Sequence, residues 1–171
     1  IKNISNKLYE TNLVKKTNLD YCDRLSKKYS AEIYLKREDQ QIVRSFKIRG
    51  ALNKIIKINH NIKNIKGIVC ASAGNHAQGV ALSCSYFKIK CKIFVPTCTP
   101  IQKINRIRKF CNENGEVIIT GDNFNETLEF AKEYAIKCKM EFIHPYDDYD
   151  IIEGQGTIAL EIEEKINPDI V

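Results

Sequence analysis

Short apolar runs alternate with longer segments of helical spacing through most of this chain. Four of these runs predict buried strands, because they are brief, rich in β-branched residues and bounded by polar or turn-forming residues. They cover residues 67–71, 91–95, 116–119 and 141–143. The segments between them predict helices that end near Phe87, Asn112 and Lys137. Strands that alternate with helices in this way indicate an α/β fold with an open parallel twisted sheet and flanking helices.

Further elements are expected on both sides of this alternation. Residues 1–29 are mostly helical in character and include a helix over residues 20–29, and an extended run over 32–37 predicts a strand. A helix is expected to start after Ser45, and residues 59–66 form a polar connection. Residues 154–166 predict a last helix, and residues 168–171 begin what reads as another strand. A strand that has only begun suggests a chain cut inside a larger fold.

The composition is that of an ordinary globular protein, with 43% hydrophobic and 28% charged residues among 171. No apolar run reaches membrane-span length, so no membrane partner is expected. The seven cysteines include no C-x-x-C pair, which indicates small buried thiols in a reducing, cytoplasmic compartment rather than disulfides. The three histidines are far apart and have no carboxylate or cysteine at ligand spacing, so no metal is expected.

The net charge of +6 is spread along the chain and indicates little about partners. The densest basic stretch, residues 103–109, alternates with apolar residues at helical spacing. A solvated helix face therefore explains it better than a nucleic-acid interface does.

Lys47 is the first candidate for chemistry. Ser45 is predicted to cap the helix, which places Lys47 in its first turn, where the positive end of the helix dipole repels an ammonium group. That repulsion and burial against Phe46 would lower the pKa of Lys47 and leave more free amine, as a Schiff-base lysine requires. A surface lysine in a lysine-rich chain is the alternative that this segment alone leaves open.

A second candidate is the segment 72–79, which follows a predicted strand and opens a helix. In parallel sheets, ligands bind beyond the carboxyl ends of the strands, and a helix N-terminus offers unpaired N–H groups to an anion. Gly74 allows close backbone approach, and polar side chains come from Ser72, Asn75, His76 and Gln78. An ordinary helix cap explains one or two of these residues, so a small-anion site is the better interpretation.

Residues 154–159 read Gly-Gln-Gly-Thr-Ile-Ala, which matches the dinucleotide pattern G-x-G-x-x-A. Acidic residues 147–150 precede it where that motif needs a buried strand. We therefore interpret these glycines as the close packing of a helix start.

Several motifs together resemble the threonine and serine dehydratases, a family of fold-type II pyridoxal-phosphate enzymes. The first two are Lys36-Arg37-Glu38-Asp39 followed by Ser45-Phe46-Lys47-Ile48-Arg49-Gly50-Ala51, and Ala71-Ser72-Ala73-Gly74-Asn75-His76-Ala77-Gln78-Gly79-Val80. The others are Pro96-Thr97 with Thr99-Pro100, Gly121-Asp122-Asn123-Phe124, His144-Pro145-Tyr146-Asp147-Asp148 and Gly154-Gln155-Gly156-Thr157. They follow one another in the order and spacing of the family.

The resemblance implies two α/β domains that enclose the cofactor. Residues 1–50 would then belong to the large domain, 51–150 to the small domain, and 151–171 to the return into the large domain. Lys47 would form the Schiff base with pyridoxal 5'-phosphate, Phe46 would lie beside the cofactor, and Asn75 would hydrogen-bond its phenolic oxygen. The substrate would be held by Ser72, Gly74, Asn75 and His76, with Pro145 and Tyr146 lining its pocket.

The activity that the resemblance implies is the dehydration and deamination of L-threonine to 2-oxobutanoate and ammonia, the first step towards isoleucine. Serine dehydration or racemisation by the same chemistry is the alternative, as is a truncated chain without activity. A homodimer or homotetramer is expected for the full-length protein, with a small amino acid as substrate and no nucleic acid as partner. Two features depart from the family: Asn18 replaces the proline of Thr-Pro-Leu, and the glycine-rich phosphate loop would lie beyond Val171.

Overall fold

The computed structural model of the chain describes residues 2–60 and 65–171. Its strands are β1 (Leu19–Tyr21), β2 (Tyr34–Lys36), β3 (Ile68–Ala71), β4 (Cys91–Val95), β5 (Gly115–Ile119) and β6 (Glu141–Phe142). Its α-helices are α1 (Lys2–Glu10), α2 (Asp23–Tyr29), α3 (Lys47–His60), α4 (Asn75–Tyr86), α5 (Ile101–Cys111), α6 (Phe124–Cys138), α7 (Tyr149–Gln155) and α8 (Thr157–Glu163). No helix within these residues is long and apolar enough to cross a membrane.

The four predicted strands form one parallel sheet in the order β5-β4-β3-β6. Ile68 of β3 lies opposite Cys91 of β4 on one side and Glu141 of β6 on the other. Because helices pack on both faces, β3 is buried along its whole length and reads as a continuous apolar run. The predicted α/β fold with an open parallel sheet is therefore confirmed.

The core of the sheet contains buried cysteine thiols among its aliphatic side chains. Cys70, Cys84, Cys91 and Cys111 pack with the isoleucines and valines of β3, β4, α4 and α5. Burial raises the pKa of the Cys70 thiol well above its ordinary value, so this thiol stays protonated. These cysteines act as small hydrophobic residues, as their sequence positions predict.

The expected helix over residues 20–29 begins later than predicted, because a small antiparallel ribbon precedes it. β1 pairs with β2 so that Leu19 lies opposite Lys36, and the ring of Tyr21 packs edge-on against that of Tyr34 with centroids 5.4 Å apart. The predicted strand over 32–37 shortens to three residues and stays outside the parallel sheet. Pairing partners that are distant in sequence decide such short strands, and local patterning does not identify them.

The C-terminal part of the chain also differs from the prediction. The single helix expected over 154–166 is two helices, α7 and α8, and α7 starts at Tyr149 because the Asp148 carboxylate caps it by accepting bonds from the N–H groups of Asp150 and Ile151. Residues 168–171 form no strand, since they pair with no strand among the described residues.

Helix α3 carries two further corrections. Its first residue is Lys47, and the carbonyl of Phe46 accepts the bond from the N–H of Arg49, so Ser45 is not the N-cap. The chain turns before this point at Arg44, which has a φ of 57°, and the Ser45 hydroxyl is buried without a hydrogen-bond partner among the described residues. The helix extends through His60 into the predicted polar connection 59–66, of which residues 61–64 lie outside the described residues.

Candidate active site

Three segments meet beyond the carboxyl ends of β3 and β6, which are neighbours in the sheet. β3 leads through residues 72–74 into α4, and β6 leads into residues 143–148. The start of α3 completes the group, because Nζ of Lys47 donates a hydrogen bond of 2.9 Å to the carbonyl oxygen of Pro145. This edge of a parallel sheet is where a ligand is expected.

The side chain of Lys47 is half-buried and faces no carboxylate within ion-pair distance among the described residues. Burial lowers the pKa of Lys47 below its ordinary value. Its Nζ also lies 5.2 Å from the centre of the Phe46 ring, whose own side chain is 40% exposed. The direction agrees with the expectation from the sequence, with burial as its cause, and it makes the neutral amine more available for covalent chemistry.

The N-terminus of α4 presents the polar loop that the sequence identifies. Asn75 is exposed in the first turn, and the Ser72 hydroxyl accepts a bond of 3.2 Å from the N–H of Gly74. A Cβ atom built on Gly74 would have no atom of the described residues within 4 Å. The glycine therefore borders open space, where a ligand can approach the backbone closely.

His76 is buried next to this loop, so its side chain is not presented to solvent. Its Nε2 lies 3.4 Å from the carbonyl oxygen of Ile143, which requires the proton on Nε2. Burial lowers the pKa of His76 to about 4, and the nearby charge of Lys47 contributes to the shift. His76 is thus a neutral imidazole that ties α4 to the end of β6.

His144 stabilises the turn of the loop that follows β6. Nδ1 of His144 accepts hydrogen bonds from the N–H groups of Asp147 (2.7 Å) and Tyr146 (3.3 Å). The Tyr146 ring stacks edge-on against His144 with centroids 4.5 Å apart, and Tyr146 is 64% exposed. This turn directs the Pro145 carbonyl towards Lys47 and leaves Tyr146 free to contact a ligand.

Two glycines allow the helices around Lys47 to pack closely. A Cβ on Gly79 of α4 would lie 3.2 Å from the Lys47 carbonyl oxygen, and a Cβ on Gly154 of α7 would lie 2.6 Å from the Arg49 carbonyl oxygen. Gly154 therefore serves helix packing, inside α7 rather than at a helix start, and the dinucleotide motif is excluded.

A buried cluster of charges on the far side of α3 was missed by the sequence interpretation. The fully buried guanidinium of Arg49 donates to Glu38 at 2.7 Å and to Glu161 at 2.5 Å, and Lys36 donates to Glu161 at 2.6 Å. Burial raises the pKa of Glu161, but the bonds from Arg49, Lys36 and Tyr9 outweigh it and the pKa is lowered. The cluster ties α3, and hence Lys47, to β2 and α8.

The residues present fit pyridoxal phosphate. They supply a half-buried primary amine of lowered pKa, open space beside Gly74 and the exposed amide of Asn75 at a helix N-terminus. Within residues 2–60 and 65–171, no group of three His, Cys, Asp or Glu side chains is placed to hold a metal ion.

Comparison with known proteins also indicates a pyridoxal-phosphate enzyme. The family model described as pyridoxal-phosphate dependent enzyme matches residues 10–171. The biosynthetic L-threonine dehydratase IlvA of Halalkalibacterium halodurans is 54% identical over 146 residues, which are 85% of this chain and 35% of that protein. The chain thus spans about a third of the length of this curated relative.

Two solved structures extend the likeness to the fold. The processed form of threonine deaminase isoform 2 from Solanum lycopersicum superposes with a TM-score of 0.83 at 36% identity, covering 95% of this chain and 49% of that one. The serine racemase of Dictyostelium discoideum superposes with a TM-score of 0.82 at 28% identity, covering 98% and 53%. With a family match over residues 10–171, this chain belongs to the pyridoxal-phosphate dependent enzymes.

Proposed function

We propose that the protein carrying this chain is an L-threonine dehydratase that forms 2-oxobutanoate and ammonia. The observation that carries the proposal is the amine of Lys47, with its lowered pKa, at the meeting point of β3, β6 and α3. The 54% identity to a biosynthetic threonine dehydratase supports threonine as the substrate.

Lys47 would hold pyridoxal 5'-phosphate covalently through Nζ, with the Phe46 ring beside it and the Asn75 amide as a hydrogen-bond donor to its phenolic oxygen. When bound, the cofactor supplies an electron-accepting ring for the bond that breaks at the substrate Cα. The hydrogen bond from Lys47 to Pro145 must open when the side chain engages the cofactor.

Lys47 is also the base of the proposed reaction. Once Nζ is free, it can take the Cα proton of threonine, because a neutral amine is the form that accepts a proton and burial favours that form. The substrate carboxylate would lie at the α4 N-terminus, held by Ser72, Gly74, Asn75 and the backbone N–H of His76. The dipole of α4 favours a negative charge at this position.

The His76 imidazole is assigned a positioning role rather than a substrate contact, since it is buried and bonded to Ile143. Pro145 and Tyr146 would border the pocket, and the exposed ring of Tyr146 is the contact available for the substrate side chain. We further propose the division into large-domain segments 1–50 and 151–171 around a small domain 51–150, a homo-oligomeric state and a cytoplasmic location for the whole protein.

Substrate assays on the whole protein loaded with cofactor test this proposal. We expect 2-oxobutanoate from L-threonine at a higher kcat/KM than pyruvate from L-serine, and little racemisation of either. Racemisation of serine without release of a keto acid would overturn the proposal. This outcome is a real alternative because a serine racemase has a similar fold.

A further inference from the structure

The loop between β6 and α7, residues 143–148, is fastened to the neighbouring helices at both ends. At its start, the carbonyl oxygen of Ile143 lies 3.4 Å from Nε2 of His76 on α4. At its end, the carboxylate of Asp148 forms an ion pair of 2.9 Å with Lys54 on α3. The side chains of this ion pair are 18% and 15% exposed, so the pair is more than a surface contact.

Lys47 contacts the middle of the same loop. Lys47 and Lys54 are seven residues apart on α3, so they lie on one face of the helix, about two turns from each other. Nζ of Lys47 donates its bond of 2.9 Å to the carbonyl oxygen of Pro145, which is a buried residue. This oxygen therefore lies in a well-packed segment between the two fastened ends of the loop.

His144 fixes the direction of that carbonyl group. Nδ1 of His144 accepts bonds from the N–H groups of Tyr146 and Asp147, so this nitrogen is unprotonated and the ring proton lies on Nε2. The N–H of Tyr146 and the carbonyl of Pro145 belong to one planar trans peptide group, in which they point in opposite directions. Because the N–H points at His144, the carbonyl points at Lys47. The bond to His144 also polarises the peptide group, which makes the carbonyl a better acceptor.

This acceptor suits a lysine that takes up a proton. A neutral amine that donates one N–H to the carbonyl keeps its lone pair directed away from the oxygen. After the amine has taken a proton, its bond to the carbonyl is charge-assisted and roughly twice as strong. No carboxylate of the described residues lies within ion-pair distance of Lys47, so the Pro145 carbonyl is the acceptor available for this charge.

We propose that His144 is a positioning residue for the proposed reaction. Through the peptide group between Pro145 and Tyr146, it aims an acceptor at Lys47 and stabilises the ammonium that forms when Lys47 takes the Cα proton of the substrate. The proton moves from Cα to Nζ, and the electron pair of that bond remains on the carbon, where it is delocalised into the bound cofactor. The inference rests on the proposed function only in needing Lys47 as the base, and not on threonine as the substrate.

Two substitutions of His144 separate hydrogen bonding from packing. His144→Asn keeps an acceptor, because the side-chain oxygen of asparagine commonly bonds the backbone N–H two residues on. It removes the ring, which packs edge-on against Tyr146 and Phe142. His144→Leu fills much of the space of the ring but has no acceptor. His60→Leu is the control, because His60 is exposed at the end of α3.

The first measurement needs no turnover. Hydrogen exchange of the N–H groups of Tyr146 and Asp147 is followed by mass spectrometry in the whole protein loaded with its cofactor. His144→Leu should speed this exchange about tenfold, because both groups lose their acceptor. His144→Asn and the His60→Leu control should exchange at rates close to that of the wild type.

The second measurement follows the proton that Lys47 takes. Single-turnover experiments with saturating L-threonine or L-serine, each deuterated at Cα, give the rate constant for loss of the deuterium without a contribution from KM. His144→Leu should lower this rate constant at least about tenfold, as expected for a hydrogen bond to a charged group. His144→Asn and the control should stay close to the wild type.

Two results would overturn the proposal. One is a wild-type rate constant or wild-type hydrogen exchange in His144→Leu. The other is a loss of rate in His144→Asn as large as that in His144→Leu, since the ring and not its acceptor would then be responsible. Turnover of serine in place of threonine by the wild type would refute the proposed substrate, while the comparison of the His144 variants on serine would still decide the positioning role.

Discussion

Gly79 of α4 lies directly against the backbone of Lys47. A Cβ atom at Gly79 would be 3.2 Å from the Lys47 carbonyl oxygen and 3.3 Å from the Cα of Ile48. The position of Lys47 therefore depends on a glycine in the facing helix, since any side chain there must push the start of α3 away by a few tenths of an ångström.

Gly79→Ala is expected to reduce turnover more than it reduces stability. Overpacking costs about 1–3 kcal/mol, and the better helix propensity of alanine offsets about 1 kcal/mol of it. The shift of α3 displaces Lys47, so kcat should fall. Denaturant unfolding and steady-state kinetics measure the two effects, and an unchanged kcat would contradict the dependence on Gly79.

Gly74→Ala is the counterpart, because a Cβ at Gly74 meets open space. The stability of this variant should equal that of the wild type, while its KM for the amino acid should rise.

Arg49→Met should destabilise the protein by about 3–5 kcal/mol, because it leaves the buried carboxylates of Glu38 and Glu161 without their guanidinium partner. The comparison is Lys16→Met, which breaks the exposed pair with Glu164, in which each side chain is 55% exposed. That variant should cost less than about 1 kcal/mol. Similar losses of unfolding free energy in the two variants would contradict the structural importance of the buried cluster.

The stability of the folded protein should fall as the pH is lowered from 6.5 to 4. The pKa of His76 is about 4 in the folded protein and 6.5 as its ordinary value, so the unfolded chain binds this proton first. The stabilisation is complete above pH 6.5 and is lost as the pH falls through the folded value, amounting to about 3 kcal/mol. His76→Asn should flatten the pH dependence of the unfolding free energy, whereas His60→Asn should not, because His60 is exposed. Equal slopes for wild type and His76→Asn would refute a buried neutral imidazole.

Asn75→Ala should change the absorbance of the bound cofactor, or the pH dependence of that absorbance, more than it changes the KM for threonine. Asn75 is exposed in the first turn of α4, so its removal leaves the helix packing intact. Asn105→Ala, at an exposed position of α5, is the control and should leave the spectrum unchanged. A wild-type spectrum for Asn75→Ala at every pH would exclude a bond between this amide and the cofactor.

The parallel sheet was predictable from the sequence because each of its strands lies in a short run rich in apolar residues, and helical segments separate these runs. The polar loop before α4 was predictable for a related reason: a glycine and several polar residues directly after a buried strand have few structural explanations. Lys47 became identifiable through its motif, since its local pattern is also that of a surface lysine.

Other features depend on contacts between distant segments and left no local signal. The pairing of Leu19 with Lys36 joins two strands of three residues each, which are too short for a period to emerge. Arg49 and Glu161 have the sequence pattern of surface charges. The fold brings them together in the core, although 112 positions separate them in the sequence. Asp148 does carry a local signal, because an aspartate before an apolar helical pattern is a common N-cap.

The identity of the lysine that holds the cofactor is the central claim, and borohydride reduction tests it most directly. The whole protein, loaded with pyridoxal 5'-phosphate, is reduced, digested and mapped by mass spectrometry, with Lys47→Arg treated in parallel. We expect one phosphopyridoxyl group, on the peptide that contains Lys47, and none in the variant. A phosphopyridoxyl group on a different lysine of the wild-type protein, or on the Lys47→Arg variant at wild-type yield, would contradict the account.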